Sequence, residues 1–324
     1  MKKNLYTKLL NINQKKIIFS FGFIKISNQT NLSLLILLLF FILIFNFCYT
    51  KLHFKLKIQY YYNKRLSFLI RNNRTYNESN LITFEDKLNW LIIHDTNQLK
   101  GKCADKIILH KFSKRILKKD ICNKILKIYD NFQQINFRNL PDQFVLKTNH
   151  GSGFNIIVTN KSEFDYNSAF QKVQSWMKID YGKFGEEFHY SFIKRKIFIE
   201  EFIGDKLKNY KFLCYNGNPK YVYLSIKEGN NKYRNFYDMN WRFLNFHCLS
   251  EPNQSYEYPK PKLFELMKLY SKKLSKNFKF VRVDLYEYNN EVRLGELTFY
   301  PMNGFFFCKN KSDEIELAKD IIIN

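Results

Sequence analysis

Acidic side chains are scarce: 29 Asp and Glu stand against 53 Lys and Arg in 324 residues, a formal charge of +24. A surplus of this size raises nucleic acid or an anionic surface as partner. No recognisable nucleic-acid module is present, however, so no nucleic-acid partner is expected. Lys, Asn, Ile, Phe and Tyr are abundant together, a set with A- and T-rich codons, and base composition accounts for much of the charge. Cysteine is sparse too. The six, at positions 48, 103, 122, 214, 248 and 308, lie far apart without a Cys-x-x-Cys pair, so neither a zinc site nor a disulfide framework is expected. The six histidines are similarly scattered. There is no internal repeat, which removes solenoids and propellers. What is plentiful is apolar: 45% of the residues, with 33 Phe and 22 Tyr, enough for one medium domain or two small ones and read as core material.

Glycine is clustered where it matters. Gln143-Phe-Val-Leu-Lys-Thr-Asn-His-Gly-Ser-Gly-Phe-Asn-Ile-Ile-Val158 places a Gly151-Ser152-Gly153 turn between two β-type runs. A Walker loop or Rossmann fingerprint leads from strand into helix, and that is absent here. A hairpin whose backbone N–H groups approach phosphate oxygens fits instead. Lys147, four residues before the first glycine, is placed to reach an α- or β-phosphate. His150 is a candidate for a phosphate or acceptor contact, with structural packing as the alternative.

A second stretch supplies acid. Phe280-Val-Arg-Val-Asp-Leu-Tyr and Val292-Arg-Leu-Gly-Glu-Leu-Thr-Phe read as strands joined around Asn289-Asn290. A two-residue loop alone would pair Asp284 with Gly295, whereas a three-residue loop or a bulge sets Asp284 facing Glu296. The latter is predicted. Asp284 and Glu296 then offer hard oxygens to magnesium on ATP, with Thr298 and Arg282 on the same face. Arg282 and Lys147 are the candidate catalytic cations.

These motifs, with others in the same order, resemble the TupA-like ATP-grasp family. The shared motifs are Lys87-Leu-x-Trp-Leu91, Cys103-Ala-Asp-Lys106, Leu140-Pro-Asp-x-Phe-Val-Leu-Lys147, Asn149-His-Gly-Ser-Gly153, Tyr210-Lys-Phe212, Arg234-Asn-Phe-Tyr-Asp238 and Gly295-Glu-Leu-Thr-Phe-Tyr-Pro301. They cover roughly residues 80 to 310. The resemblance implies an α+β ATP-grasp fold, in which two α+β lobes clamp ATP beside a small N-terminal helical lobe. It further implies an ATP- and magnesium-dependent carboxylate–amine ligase working through an acylphosphate on small-molecule or polymer-linked substrates, within surface-polysaccharide or teichuronopeptide-type synthesis. In that frame Lys106 and Lys147 hold phosphates and the Gly151-Ser152-Gly153 turn covers them. Glu200 and Glu201 meet the adenine-ribose end, Lys211 joins the nucleotide site, and Asp284, Glu296 and Thr298 hold the metal. Acceptor contacts are expected from Lys211, Arg234 and the turn after Pro301. The chain departs from the family at His110, where an Arg is usual, and at Asn209, where an acid is usual. Proteins with these motifs are often labelled glycosyltransferases, which is the alternative function, although no Asp-x-Asp occurs. A binding protein without turnover is the third reading.

Leu32 to Tyr49 is uncharged and long enough to cross a bilayer. A basic tail (1–31), a membrane span (32–50) and a basic, polar connector (51–80) are therefore predicted before the catalytic domain (81–324). The basic cluster closest to the span, Lys51, Lys55, Lys57, Lys64 and Arg65, follows it and tilts the domain toward the cytoplasm. Sequons at Asn73, Asn77 and Asn253 keep the opposite orientation open. Folded structure is expected from about Ile82, with a helix around Leu88 to Ile92, another from Lys106 to Leu126, one around Ser168 to Lys178 and one over 261–275. The lobes are expected at about 81–134, 135–198 and 199–324.

Overall fold

In β2 (Phe144–Thr148) the residues Phe144, Leu146 and Thr148 alternate with Val145 and Lys147, so one face of the strand is apolar and the other carries a cation. β2 pairs antiparallel with β3 (Asn155–Val158) and β4 (Ile197–Glu201), and β4 with β1 (Ile125–Tyr129), giving a four-stranded sheet in the order β1-β4-β2-β3. Its apolar face buries Phe144, Leu146, Val158, Ile197 and Ile199 against Ala169 and Val173 of helix α4 (Tyr166–Lys178). Asp165 caps α4 by accepting from the Ser168 amide at 2.9 Å.

The computed structural model describes residues 63–323, apart from 71, 73, 185–186, 205–206, 229–230 and 249–256. Residues from Lys64 onward form one unit. Its second sheet has six antiparallel strands in the order β10-β9-β5-β6-β7-β8: β5 (Asn209–Tyr215), β6 (Asn218–Glu228), β7 (Asn231–Asp238), β8 (Phe243–Leu244), β9 (Phe280–Tyr288) and β10 (Glu291–Thr298). Val283, Leu285, Phe212 and Val222 face helix α6 (Phe264–Ser275), where Phe212 stacks on Phe264 at 5.9 Å between ring centroids. The opposite face of the same strands presents Arg282, Asp284, Lys211 and Tyr223.

Helix α1 (Phe84–His94) begins in a capping box between Thr83 and Asp86. Beside it lie α2 (Leu99–Ala104) and α3 (Ile108–Leu117), and α5 (Tyr181–Phe184) follows α4. Helix α7 (Lys311–Ala318) packs against α1. Pro301-Met-Asn-Gly304 forms a left-handed turn in which Met302, Asn303 and Gly304 all have positive φ. Two distant side chains hold it: Lys64 Nζ donates to the Asn303 carbonyl at 2.6 Å and Asn89 Nδ2 to the Gly304 carbonyl at 3.0 Å.

Four expectations are corrected. The helix predicted over 106–126 ends at Leu117, because Lys118 turns left-handed (φ 62°), and Ile125–Tyr129 is β1. The lobe boundaries at 134/135 and 198/199 cut the four-stranded sheet, since β1 and β4 pair across them. The connector is anchored in its second half: Phe68 and Tyr76 are buried, and Arg74 sits 4.6 Å over the Phe68 ring while pairing with Asp86 at 2.8 Å. Cationic stems can cover aromatic surface, which a polar composition conceals. Finally, Cys248 and Cys308, 60 residues apart, form a disulfide. The pairing comes from tertiary closure, not spacing. The predicted span 32–50 lies outside the described residues. Among those described, no helix is long and apolar enough to cross a membrane.

Closing a loop of this length restricts the unfolded chain, so reduction of Cys248–Cys308, or Cys308→Ser, is expected to lower stability by roughly 2–4 kcal/mol in urea unfolding. An unchanged midpoint under reducing conditions would show that the cross-link contributes nothing.

Candidate functional site

The acidic hairpin is built by a bulge. Glu291 pairs with Tyr288 around Asn289-Asn290, both at positive φ as a tight two-residue turn requires, yet the register shifts between Leu294 and Glu296. Gly295 is the extra residue, and Glu296 thereby faces Asp284. A Cβ at Gly295 would lie 2.6 Å from the Tyr286 ring, so the bulge needs glycine there.

Arg282 ties the pair together. Its Nε donates to Asp284 Oδ1 at 2.6 Å, and one terminal nitrogen reaches Asp284 Oδ2 (2.8 Å), Glu296 Oε1 (2.8 Å) and Thr298 Oγ1 (3.0 Å). The Thr298 hydroxyl donates to Glu296 Oε1 at 3.0 Å, and Tyr223 OH accepts from Arg282 at 3.3 Å. From β5, Lys211 forms an ion pair with Asp284, its cross-strand partner. Burial pushes the Glu296 carboxyl up, but Arg282, Lys211, Lys106 and the Thr298 hydroxyl outweigh it and hold Glu296 down at about 2. It is ionised at neutral pH.

The four-stranded sheet contributes Lys147, and the segment before α3 contributes Lys106. Lys147 Nζ bonds Glu200 Oε1 at 2.6 Å, a diagonal pair on neighbouring strands, and Asn123 donates to the same oxygen at 3.1 Å. Lys106 follows Asp105, whose carboxylate accepts from the Ile107 and Ile108 amides at the start of α3 (2.8 and 3.2 Å). Its Nζ reaches the Gly151 carbonyl of the glycine turn. Burial lowers the Lys106 ammonium, Glu296 counters that, and the neighbouring Lys147 lowers it further. Lys106 therefore feels both the acidic hairpin of one sheet and the cation of the other. Asn149 joins the two motifs. It donates to Asp105 Oδ2 (2.9 Å) and the Lys194 carbonyl (3.0 Å), and accepts from the Lys196 amide (2.7 Å). Gly151 and Gly153 have φ of +81° and +75°, and a Cβ at Gly151 would meet the Tyr181 ring at 2.6 Å, so this turn cannot carry a side chain there.

Of the predicted site residues, Lys106, Lys147, Glu200, Lys211, Arg282, Asp284, Glu296 and Thr298 share one charged network, with Gly151, Ser152 and Gly153 at its edge. Three placements differ from expectation. Glu201 turns to the other face of β4, accepts from the Lys124 amide at 2.8 Å, and borders a separate cavity of about 650 Å³ with Leu126, Gln143, Asn160 and Phe202. His150 is buried: its Nε2 donates to the Trp176 carbonyl at 3.0 Å and its ring meets Phe154 edge-on. It is a packing residue that fastens the turn to α4, not a phosphate contact. His110 leaves the network and bonds Asp120 at 2.8 Å.

The sequence gives no signal for Glu187. This carboxyl is buried, its Oε2 lacks a hydrogen-bond partner, and His189 Nε2 lies 3.8 Å away. Burial raises it to about 8, with Lys64 opposing and Glu296 adding. Only tertiary folding brings it to the hairpin.

A sequence model of the TupA-like ATPgrasp family matches residues 86–322. The chain belongs to that family. Among solved structures, D-alanine–D-alanine ligase from Bacillus anthracis, complexed with ATP, is 18% identical with a TM-score of 0.39, covering 61% of this chain and 55% of that one. An L-amino acid ligase from Bacillus licheniformis is 14% identical (TM-score 0.38; 61% and 43%). N5-carboxyaminoimidazole ribonucleotide synthetase from Thermotoga maritima is 11% identical (TM-score 0.37; 74% and 57%). The TupA-like chain thus spans about half the length of each. No curated protein matches it.

The residues fit ATP and magnesium on the chemistry of the donor set: two carboxylates and a hydroxyl converge, faced by lysines and a glycine turn. Two buried groups of this TupA-like site give opposite pH slopes. Burial lowers His150 from 6.5 to about 4, so the unfolded chain binds the extra proton first and stability falls as pH drops from 6.5 toward 4. The full loss is roughly 3 kcal/mol, and His150→Gln should abolish that slope. Glu187, raised from 4.5 to about 8, favours the folded state at low pH and loses that contribution as pH rises from 4.5 through 8. Glu187→Gln should remove the alkaline slope alone. Denaturant titration between pH 4 and 9 reads both, and parallel curves for wild type and variants would refute the assignment.

Proposed function

We propose that the chain is an ATP- and magnesium-dependent ligase that joins a carboxylate to an amine through an acylphosphate. One observation carries the reading: the Asp284–Glu296–Thr298 cluster, locked by Arg282, lies in the same charged network as Lys106, Lys147 and the glycine turn. Asp284, Glu296 and Thr298 would hold magnesium, which when bound neutralises phosphate oxygens. Lys106 and Lys147 supply point charges to phosphates, and the turn offers backbone N–H groups where a Cβ would obstruct. Arg282, pinned by Asp284, Glu296, Thr298 and Tyr223, is positioned to stabilise charge on a phosphoryl group in transfer. Phosphoryl transfer depends on positioning and charge neutralisation, so no side-chain nucleophile is needed. The amine then attacks the acyl carbon of the acylphosphate, the carbon–nitrogen bond forms, and inorganic phosphate leaves as the acyl–oxygen bond breaks.

The wider setting belongs to the same proposal: a membrane anchor at 32–50, and a polymer-linked or small-molecule acceptor in surface-polymer synthesis, supported by the apolar run and by the family resemblance. One observation opposes the expected cytoplasmic domain, since the Cys248–Cys308 disulfide suits an oxidising compartment.

The test is ADP release by the full chain with ATP, magnesium and a panel of amino acids and carboxylated saccharides. Turnover that requires both substrates is expected. Glu296→Gln should lower kcat by about 100-fold or more, as loss of one charge-stabilising group does, and Lys147→Ala should raise the KM for ATP. A folded wild-type protein that neither binds nor cleaves ATP would overturn the ligase reading.

A further inference from the structure

Away from the nucleotide network, His110 on α3, Asp120 and Cys122 bring an imidazole nitrogen, a carboxylate oxygen and a thiol sulfur within 4.8 Å of one another. Four hydrogen bonds fix this corner. Asp120 Oδ1 accepts from the Cys122 amide at 3.0 Å, which aims Oδ2 at His110 Nδ1, 2.8 Å away. The Ile121 amide donates to Ser113 Oγ on α3 at 3.3 Å, and the Ile121 carbonyl accepts from the Leu294 amide at 2.8 Å. The three donors therefore sit on a backbone held from both sides.

We infer that His110, Asp120 and Cys122 form a binding site for a borderline-soft divalent cation, zinc in particular, separate from the magnesium ligands. The donor set decides the metal. Magnesium and calcium take oxygen donors, whereas nitrogen, sulfur and one carboxylate together select zinc. Tetrahedral zinc, with bonds of roughly 2.0–2.3 Å, sets its ligand atoms roughly 3.3–3.8 Å apart, so the set closes on an ion by a shift of about an ångström. Asp120 is exposed, which leaves a fourth position open to water. Burial and the neighbouring Asp120 push the Cys122 thiol up; a bound divalent cation reverses that by favouring the thiolate, whose proton goes to solvent.

The position gives the site a consequence. Cys122 bridges to Leu294, the last residue in register before the Gly295 bulge. An ion here joins α3, which starts two residues after Lys106, to the hairpin that carries Glu296. It braces both halves of the charged network without entering it.

The experiment uses the full chain, stripped with a chelator and titrated with Co2+ and Zn2+. Expected are one equivalent of Co2+ with a thiolate-to-cobalt charge-transfer band, its displacement by Zn2+, and slower hydrogen exchange at the Leu294 amide. Cys122→Ser should lose the band, and Cys103→Ser, a buried free thiol elsewhere, should keep it. His110→Ala, altering a partly exposed side chain, should remain folded and bind about tenfold or more weakly, the scale of loss when a metal site is weakened. No band from folded wild-type protein would overturn the site, as would a band that survives Cys122→Ser. Because Co2+ spectra and exchange need neither ATP nor a substrate, failure here is distinguishable from failure of the ligase reading.

Discussion

A buried arginine between two carboxylates governs this structure. Arg282 and Asp284 are almost fully covered, and their strand neighbours Lys211 and Glu296 extend the charge on either side. Such an arrangement is a poor source of stability, since desolvating the ions offsets most of their attraction. Hydrophobic replacements of similar volume would hold the two strands as well. What the ionic version provides is a set of charges already oriented before any ligand arrives. With Glu296 held near 2 by the cations beside it, that carboxylate is ionised throughout the neutral range. On the proposed function, an incoming polyphosphate would meet lysines and arginine and an incoming metal would meet carboxylates, with neither having to order the site.

Much of this was legible in the residues because the motifs are local. Strand, turn and strand around Gly151 follow from β-branched alternation and a glycine pair, and the structure keeps that hairpin from Phe144 to Val158. The facing of Asp284 and Glu296 was legible for a different reason. Both carboxylates, placed in one hairpin, could share a face only if an extra residue intervened, and Gly295 is the residue able to be extra. The family resemblance added Lys106 and Glu200, which no spacing argument would have connected to the distant acidic hairpin. Helix α4, expected around Ser168 to Lys178, is found at Tyr166–Lys178, its start fixed by the Asp165 cap.

What stayed hidden is non-local. Glu187 has no motif, and its raised carboxyl exists only because folding removes it from water. His150 sits inside the most recognisable motif of the chain, yet the ring turns to a helix carbonyl, since a buried imidazole needs one hydrogen bond more than it needs a charge. Glu200 and Glu201 look alike in sequence and part company by strand alternation alone. The disulfide stayed hidden for the same reason: spacing reports local zinc knuckles and dense frameworks, whereas Cys248–Cys308 arises where distant segments meet. The connector misled through composition. Lys64, Arg65 and Arg74 read as solvated charge, but each lies over an aromatic ring.

Asn149 shows how the two motif-bearing elements act together. Its side chain and backbone make five hydrogen bonds, to Asp105, Lys106, Lys194 and Lys196, so the glycine turn, the start of α3 and the approach to β4 share one joint. A turn free to move independently would let Lys147 and Lys106 approach a phosphate from unrelated positions. A turn tied through Asn149 cannot shift without carrying Lys106 and the head of α3 with it. The same helix contacts the segment that fixes Leu294, and beyond Leu294 the bulge sets Glu296. The glycine turn is thereby tied, through packed and hydrogen-bonded elements, to the strand that carries Glu296. Coupling of this kind follows from which groups share partners, and it requires no contact between the turn and the hairpin themselves.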